Sequence, residues 1–579
     1  MIVDKSIFRK RLVEGSSTDN PTANDGTAAG RVARPESKQM SAMKIFAMLL
    51  LSLPALATLT MFYNGSVSAP DEIGHGFVEA RVIEQTIAAR DSSSNTTNVS
   101  DDDLRLDDLL PSGFDAKSCL SRIQSTSYRK KSPFPPSPHL ISKLRSYEAR
   151  HKRCGPGTKS YKAASLNLKS KSGSGSGSWF GSGECKYIVW IAYSGLGNRI
   201  LTIASAFLYA LLTDRVLLVE HGSKSDLADL FCEPFPGTSW LLPDKFPVRT
   251  KFDKLGHASP ECFGHMLKHK AFDNATSDPA FVYVDLVHDY NDHDKKFFCD
   301  EDHALVKNVE WLVVRSDNYF VPSLFLMATF REELFRMFPA KVTVFHHLGR
   351  YLFHPTNQVW GLVTRFYDAY LAGADERIGI QVRTFYNGPG PFQFVMEQIQ
   401  ACIQQETLIP DVANDVKLVP KSRKTKAVLV TSLIGDYSEK LKARYWLNPT
   451  SSGEVIGVHQ PSHEGFQLTD QSLVHNRKAW AEMYLLSLMD RLVTSAWSTF
   501  GYVAQGLGGL RPLILYKSDN MTVPRPPCGR GMSMEPCFHA PPFYDCRLRR
   551  GADTGAMDEH VRHCEDVSWG LKVVDPNKF

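Results

Sequence analysis

The stretch Leu492–Tyr516, LVTSAWSTFGYVAQGLGGLRPLILY, decides the fold of the second half of the chain. It predicts a short apolar strand, a Ser/Thr turn, one short helix that ends at Gly508 and Gly509, and a second strand over Pro512–Tyr516. Ser495, Ser498 and Thr499 lie where a helix N-cap belongs, so backbone N–H groups would face the space above the sheet. The stretch therefore predicts half of a nucleotide-binding α/β unit, although a plain crossover with a capped helix fits it equally.

The first half of the chain contains a similar unit. The apolar strand Tyr187–Tyr193 leads into the glycine-rich turn Ser194–Arg199, a helix from about Ile200 to Leu212 and the strand Val216–Glu220. Glycines in such a turn let a ligand approach the backbone, and Arg199 could reach a phosphate at the helix start. The third glycine of a dinucleotide fingerprint is missing, so a structural tight turn is the alternative to a nucleotide site.

Further apolar runs complete two successive α/β units. Helices are predicted at 137–151, 331–337, 357–371, 394–405 and 477–489, and strands at 281–286, 311–314, 378–382, 427–431 and 454–459. A boundary is predicted at Gly373–Arg377. The fold class expected is therefore α/β, with two Rossmann-like domains, 113–372 and 373–579, facing one another across a cleft.

Composition excludes some classes of function. The chain is 43% hydrophobic and 22% charged, which is typical of globular proteins. Its net charge of +5 is small for 579 residues and its basic residues are dispersed, so a nucleic-acid partner is not expected. Hydrolase and P-loop signatures such as Gly-x-Ser-x-Gly are also missing from the sequence.

The N-terminal region predicts a single membrane span. Residues 45–63, IFAMLLLSLPALATLTMFY, contain no charge and are long enough to cross a bilayer as a helix. Basic residues precede this run and acids follow it, so residues 1–44 would be a cytosolic tail and everything beyond 63 lumenal. Residues 64–112 are polar and predict a flexible stem. A cleaved signal peptide is the competing interpretation.

Cysteines and glycosylation sequons agree with that orientation. All 11 cysteines follow the span, as expected in an oxidising compartment, and their odd number leaves at least one free thiol. The acceptor sequons also follow it, at Asn64, Asn95, Asn98, Asn274 and Asn520. Cys-x-x-Cys does not occur, which argues against a zinc site.

Two polar segments after predicted strands carry candidate chemistry. Gln381 and Arg383 lie at the carboxyl end of the strand at 378–382. An arginine there can bind a pyrophosphate with two donors, or can instead pair with an acid of a neighbouring strand. The second segment, HDYNDHDK at 288–295, fits three interpretations. It could be a solvated loop, a metal-ligand cluster, or a loop that contacts the acceptor and in which Asp289 or Asp292 acts as a base.

Eight sequence strings form an ordered pattern between Ala192 and Asp566. They are Ala192–Arg199 (AYSGLGNR), Leu230–Pro243 (LFCEPFPGTSWLLP), Phe345–Leu348 (FHHL), Ile378–Arg383 (IGIQVR), Ala481–Ser487 (AEMYLLS), Val493–Tyr502 (VTSAWSTFGY), Ser533–Cys537 (SMEPC) and Val561–Asp566 (VRHCED). On these strings the chain, from about Phe114 to its end, resembles the plant galactoside 2-α-L-fucosyltransferases, which fucosylate xyloglucan and related cell-wall glycans.

The resemblance implies a GT-B-like fold and a single-pass type II Golgi membrane enzyme that uses GDP-β-L-fucose, with no metal or other cofactor. Its donor-binding residues would be Ser194, Gly195, Gly197, Asn198, Arg199, Gln381, Arg383, Ser495, Ser498, Thr499, Phe500, Gly501 and Tyr502. The donor would occupy the second domain and the acceptor the first. The partners implied are a galactosylated polysaccharide and the Golgi membrane, and a homodimer or a complex with other wall glycosyltransferases is open.

Acceptor identity is open at this point. Xyloglucan is expected, arabinogalactan glycans are the alternative, and an inactive lumenal glycan-binding partner is a third possibility from a different class. The intact Ser498–Gly501 turn and Arg383 argue against the inactive protein.

Overall fold

The computed structural model describes residues 109–172, 184–221, 227–272, 279–384, 391–413, 424–463, 473–518, 520–555 and 557–576. The predicted tail, membrane span and sequons at Asn64, Asn95, Asn98 and Asn274 lie outside these residues, whereas Asn520 is exposed. Leu109 and Leu110 are buried in the hydrophobic core, and the backbone oxygen of Leu109 accepts a hydrogen bond from Arg145. The packed chain therefore begins before residue 113, where the stem was expected to end.

The first half contains strands β1 (Tyr187–Ile191), β2 (Val216–Val219), β3 (Val282–Leu286) and β4 (Trp311–Ser316). Its α-helices are α1 (Leu120–Tyr128), α2 (Pro138–Cys154), α3 (Lys159–Ser172), α4 (Leu196–Thr213), α5 (Leu227–Leu230), α6 (Phe263–Lys268), α7 (Asp300–His303), α8 (Val321–Phe325), α9 (Ala328–Met337), α10 (Val344–Leu352) and α11 (Asn357–Tyr370). Short 3₁₀ helices occupy Arg249–Lys254, Asp294–Phe298, Ala304–Val306 and Lys341–Thr343.

The second half contains α12 (Pro391–Gln405), α13 (Asp436–Leu447), α14 (Leu473–Ser487) and α15 (Thr499–Gly508). Its strands are β5 (Glu376–Gln381), β6 (Thr425–Thr431), β7 (Val455–His459), β8 (Arg491–Ser495), β9 (Leu513–Leu515) and β10 (Cys528–Arg530), followed by the short strands β11 (Tyr544–Asp545), β12 (Arg550–Gly551), β13 (Val561–His563) and β14 (Leu571–Val573).

Two separate sheets confirm the α/β prediction. The first has the order β2-β1-β4-β3 and is wholly parallel, with Tyr187 opposite both Val216 and Trp311. The second has the order β10-β9-β8-β5-β6-β7 and is parallel except for the pair β9–β10. Parallel strands buried on both faces read as continuous apolar runs, which is why the sequence predicted them.

One hydrophobic core joins the two halves. Helices α4 and α10 from the first half pack against α15 from the second, and α11 packs against α14. Among the described residues, α4 is the helix long and apolar enough to cross a membrane, but most of it is buried inside this core. Its burial explains its apolar composition. The two sheets are therefore held in a common packed unit, and the exact domain boundary near 373 stays a prediction.

Five disulfides pair ten of the cysteines: Cys119–Cys232, Cys154–Cys185, Cys299–Cys546, Cys402–Cys528 and Cys537–Cys564. Cys262 is the free thiol, and it is buried. The prediction of at least one free cysteine is confirmed. Cys299–Cys546 ties the first half to the C-terminal extension.

Several sequence expectations were wrong in detail. Helix α4 begins at Leu196 and not near Ile200, so Leu196–Arg199 form the first helical turn. The Ser/Gly-rich run at 170–178 has the composition of a surface loop, but its first three residues belong to α3, which buries Tyr161, Ala164 and Leu168 at helical spacing. Residues 173–178 lie outside the described chain. Helices α1, α3, α10 and α13 and the short helices α5, α6, α7 and α8 were not predicted.

Candidate active site

The starts of two helices meet between the sheets. Helix α4 begins after Gly195 and α15 begins after Ser498, and neither N-cap residue supplies a side-chain hydrogen bond to the first turn. Thr499 Oγ1 donates a hydrogen bond to Asn198 Oδ1 at 3.1 Å. Unsatisfied N–H groups and the positive dipole ends of both helices therefore converge, which favours an anion.

A pocket of about 550 Å³ lies at this junction. The predicted residues that line it are Ser194, Gly195, Gly197, Asn198, Arg199, Gln381, Arg383, Ser498, Thr499 and Phe500. Two segments far apart in sequence, the glycine-rich turn Ser194–Arg199 and the stretch Leu492–Tyr516, thus share one cavity with residues at the end of β5.

Hydrogen bonds hold the glycine-rich turn in place. Ser194 has a left-handed backbone (φ 63°), and its carbonyl oxygen accepts a hydrogen bond from Arg199 Nε at 2.9 Å. Asn198 Nδ2 donates to the backbone oxygen of Asp317 at 2.8 Å, which ties the turn to the residue after β4. The turn is therefore fixed from both sides before any ligand binds.

Ser495 connects the ends of β5 and β8. Its Oγ accepts a hydrogen bond from the Arg383 backbone N–H at 2.9 Å, and its own N–H donates to Gln381 Oε1 at 3.2 Å. Ser495 is itself absent from the pocket lining, so the structure gives it a place behind Arg383. Partial burial lowers the pKa of Arg383, but an arginine side chain keeps its positive charge at any physiological pH.

Gly501 and Tyr502 also stand behind the pocket wall. A Cβ at position 501 would lie 2.9 Å from Thr494 Cβ, so only glycine lets α15 approach β8 this closely. The ring of Tyr502 is buried and its hydroxyl donates to Asp566 Oδ2 at 2.5 Å. Direct contact of either residue with a donor stays a prediction.

Asp289 and Asp292 do not line the pocket. The Asp292 side chain is 87% exposed and pairs with Lys295 at 2.6 Å, whereas Asp289 is 67% exposed and lies 3.6 Å from His257 Nε2. A third acid of the same loop, Asp294, is buried and accepts hydrogen bonds from the backbone of Gly264 and from His257. The loop is thus part structural anchor and part exposed surface.

Sequence reasoning missed Asp317, which follows β4. Its carboxylate accepts hydrogen bonds from the His288 backbone at 3.0 Å and from His288 Nδ1 at 2.5 Å, and this contact raises the pKa of His288. The carboxyl end of a parallel strand is where ligands bind in α/β sheets, and applying that rule to β4 would have found this residue.

The pocket also extends to the end of β6 and along α14. Its polar lining there, which the sequence analysis did not single out, comprises Thr431, Ser432, Ser462, His475, Asn476, Lys478 and Glu482. The hydroxyl of Ser462 donates to Glu482 Oε1. His539 and Trp497 form a further part of the wall.

One group of potential metal ligands occurs among the described residues, formed by Cys537, Cys564 and Asp566. The two sulfurs are joined in a disulfide and offer no thiolate. This group is therefore a covalent brace near the pocket.

Two largely parallel sheets that share one pocket at their helix starts are typical of nucleotide-binding α/β proteins. The chain belongs to the xyloglucan fucosyltransferase family, whose family model matches residues 78–547. It is 58% identical to a galactoside 2-alpha-L-fucosyltransferase of Arabidopsis thaliana over 93% of this chain and 94% of that one. It is 60% identical to the Pisum sativum protein of the same name over 82% of both chains.

A solved structure has the same mixed α/β fold. An Arabidopsis thaliana FUT1 mutant in complex with GDP superposes with a TM-score of 0.76 at 61% identity, covering 81% of this chain and all of that one. The family membership and the GDP bound to that relative agree with a nucleotide-sugar donor.

Proposed function

We propose that this protein transfers L-fucose from GDP-β-L-fucose to the 2-hydroxyl of galactose residues on a plant cell-wall glycan, xyloglucan above all. The observation that carries the proposal is the meeting of two uncapped helix starts beside Arg383. The site suits a diphosphate because its donors are backbone N–H groups and a guanidinium that can bind two oxygens at once.

The reaction is a single displacement. The galactose 2-hydroxyl oxygen forms a bond to the anomeric carbon of fucose while the bond to the GDP β-phosphate breaks on the opposite face, which converts the β-linked donor into an α-linked product. Negative charge grows on the leaving phosphate. Fixed donors at the starts of α4 and α15, together with Arg383, stabilise that charge more in the transition state than in the ground state.

The donor lies with its diphosphate at the helix starts and its nucleoside toward β6 and α14. Lys478, Asn476 and Glu482 offer donors and acceptors for a polar base and ribose there. The acceptor approaches from the first half, past His288 and Asp289. In this arrangement the two halves form the GT-B-like cleft expected from the sequence, with the enzyme anchored in the Golgi membrane by residues 45–63, residues 1–44 in the cytosol and the chain beyond residue 63 in the lumen.

Proton removal from the attacking hydroxyl has three candidates in this scheme. Asp289 and Asp292 are the two acids proposed from the sequence, and the Asp317–His288 pair adds a carboxylate that is 11% exposed on the same side. The scheme uses no metal ion, because the fixed donors supply the charge stabilisation that a cation would otherwise provide. Full activity in excess EDTA is the expected result, and restoration of lost activity by Mg²⁺ or Mn²⁺ would contradict it.

The deciding experiment incubates the full-length protein in detergent with GDP-fucose and galactosylated acceptors, including xyloglucan and arabinogalactan oligosaccharides, followed by linkage analysis. An α-1,2-linked fucose on xyloglucan supports the proposal, and transfer only to arabinogalactan would reassign the acceptor. GDP binding without transfer to any galactoside would instead favour the inactive glycan-binding partner.

A further inference from the structure

A chain of three side chains connects the pocket wall to the C-terminal extension. His539 lines the pocket, and its Nε2 lies 3.0 Å from the hydroxyl oxygen of Tyr502. That hydroxyl lies 2.5 Å from Oδ2 of Asp566, which follows β13. Neither His539 nor Asp566 has a place in the function described so far.

The positions of the protons follow from what Asp566 can do. Oδ2 of this carboxylate also accepts the backbone N–H of Trp497 at 3.0 Å, so it acts as an acceptor for both groups. Burial, and then the nearby Asp566 charge, raise the pKa of Tyr502 well above its usual value, so the hydroxyl keeps its proton and donates a hydrogen bond to Asp566. The Tyr502 oxygen is left to accept, and His539 Nε2 must carry the hydrogen that it receives.

This arrangement fixes the tautomer of His539. Burial lowers the pKa of the imidazole, which favours the neutral ring. A neutral ring with its hydrogen on Nε2 has a lone pair on Nδ1. Within the described part of the chain, Nδ1 of His539 makes no hydrogen bond. Since His539 lines the pocket, Nδ1 is the ring nitrogen left to accept a hydrogen bond from a ligand.

The surroundings of His539 indicate which part of a ligand it would meet. The neighbouring Ala540 oxygen accepts a hydrogen bond from Tyr290 of the loop after β3, and the Asp317 charge is close enough to affect the pKa of His539. His539 therefore stands on the side of the first sheet, between the start of α15 and the loop that holds Asp289. A lone pair there would repel a phosphate oxygen and attract an O–H donor.

We propose that His539 binds the fucosyl group of the donor by accepting a hydrogen bond from one of its hydroxyls through Nδ1. Tyr502 and Asp566 are positioning residues that hold the imidazole in this tautomer. The inference rests on the proposed function, since it names a contact of the same donor.

The test compares two substitutions of equal polarity. In His539→Asn, the side-chain oxygen can take the place of Nδ1, but the bond to Tyr502 is lost. In His539→Gln, the side-chain nitrogen can take the place of Nε2 and keep that bond, but the acceptor is lost. Calorimetry on the full-length protein measures the affinity of each variant for GDP-fucose and for GDP.

We expect His539→Gln to weaken GDP-fucose binding by about 5- to 10-fold, the effect of one lost hydrogen bond, with GDP affinity unchanged. His539→Asn should retain more GDP-fucose affinity than His539→Gln. A purely structural role predicts the reverse order, because glutamine preserves the contact with Tyr502. That reverse order, equal losses for GDP and GDP-fucose, or no loss at all would overturn the inference.

Tyr502→Phe supplies a second test of the tautomer. It should weaken GDP-fucose binding in the same direction as His539→Gln but by less, because the ring can then adopt either tautomer. Tyr437→Phe is the matched control, since it also removes a buried tyrosine hydroxyl, one with no partner among the described residues. An effect of Tyr502→Phe no larger than that of the control would count against the tautomer argument.

The two proposals can fail separately. If the wild-type protein binds GDP-fucose but transfers fucose to no galactoside, the proposed function fails while the affinities still test His539. If the wild-type protein transfers fucose and the His539 variants match it in affinity, only the contact with His539 fails.

Discussion

Gly197 lies against Thr499, so two helices separated by some 300 residues touch at their first turns. A Cβ at position 197 would lie 2.6 Å from Thr499 Oγ1 and 3.0 Å from its backbone carbon. The close approach requires a residue without a side chain, because one of the opposing atoms is backbone and cannot rotate away. The geometry of the candidate diphosphate site depends on this contact.

Gly197→Ala should therefore push the two helix starts apart. Alanine favours a helix over glycine by about 1 kcal/mol, but overpacking at a buried contact costs about 1–3 kcal/mol and opposes it. We expect GDP to bind roughly 10-fold more weakly, measured by calorimetry. Gly373→Ala is the control, because a Cβ there meets nothing within 4 Å. Unchanged GDP affinity in Gly197→Ala would contradict the assignment of the phosphate site.

Arg383→Ala should lower kcat/KM for fucose transfer by about 100-fold or more, roughly 3 kcal/mol, the scale of one lost donor to a developing oxyanion. Arg383→Lys keeps the charge but cannot bind two oxygens at once, so its kcat/KM should fall between those of the wild type and Arg383→Ala. Arg491→Ala tests for a general effect of charge loss, since Arg491 begins the adjacent strand and lines a different cavity. Steady-state kinetics on the three variants give kcat/KM for fucose transfer. Near-normal turnover in Arg383→Ala would contradict the role of Arg383 in stabilising the leaving phosphate.

Substitutions of the two exposed acids in the loop after β3 should affect fucose transfer to different extents. Asp292 projects into solvent and pairs with Lys295, so Asp292→Asn should leave transfer close to the wild-type rate. Asp289 acts electrostatically on Tyr193, the residue before the glycine-rich turn, and Asp289→Asn should lower kcat by about 10-fold or more if this acid takes the proton. Equal kcat values for the two variants across the pH range would exclude Asp289 as the base.

His257 should make stability depend on pH. Its hydrogen bond to Asp294, at 2.8 Å, is the main reason that its pKa rises from 6.5 to about 9 in the folded protein. A raised folded pKa contributes stability that is fully present below about pH 6.5 and is lost as the pH rises through about 9.

His257→Asn removes this titrating group. The free energy of unfolding, measured with urea at about pH 6 and about pH 9.5, should differ more between wild type and variant at the lower pH. His563→Asn is a control. His563 also pairs with an acid, but that acid, Asp553, is 62% exposed, whereas Asp294 beside His257 is buried. An equal difference at both pH values would show that the His257 charge is irrelevant to stability.

The sequence by itself determined which segments are buried strands and which polar residues end strands or begin helices. β1, β6 and β8 were recognisable as apolar runs, and Arg383 and Ser498 as polar residues at strand ends or helix starts. These signals are local. A strand buried on both faces is a continuous run of apolar residues, and the end of a strand or helix is marked by polar residues within a few positions. Helix α10 was missed because it is only nine residues long and its polar residues His346, His347 and Arg350 are buried inside the protein, so they do not mark a side that faces solvent.

Only the tertiary structure decided which of these segments meet. The contact between Gly197 and Thr499, the bond from Asn198 to the residue after β4, the disulfide partners and the link from His539 through Tyr502 to Asp566 all join positions far apart in the chain. No local pattern encodes such pairs, because they depend on how α4, α10, α11, α14 and α15 pack into one core. The sequence named the two halves of the candidate phosphate site, and the packing of that core brings them into contact.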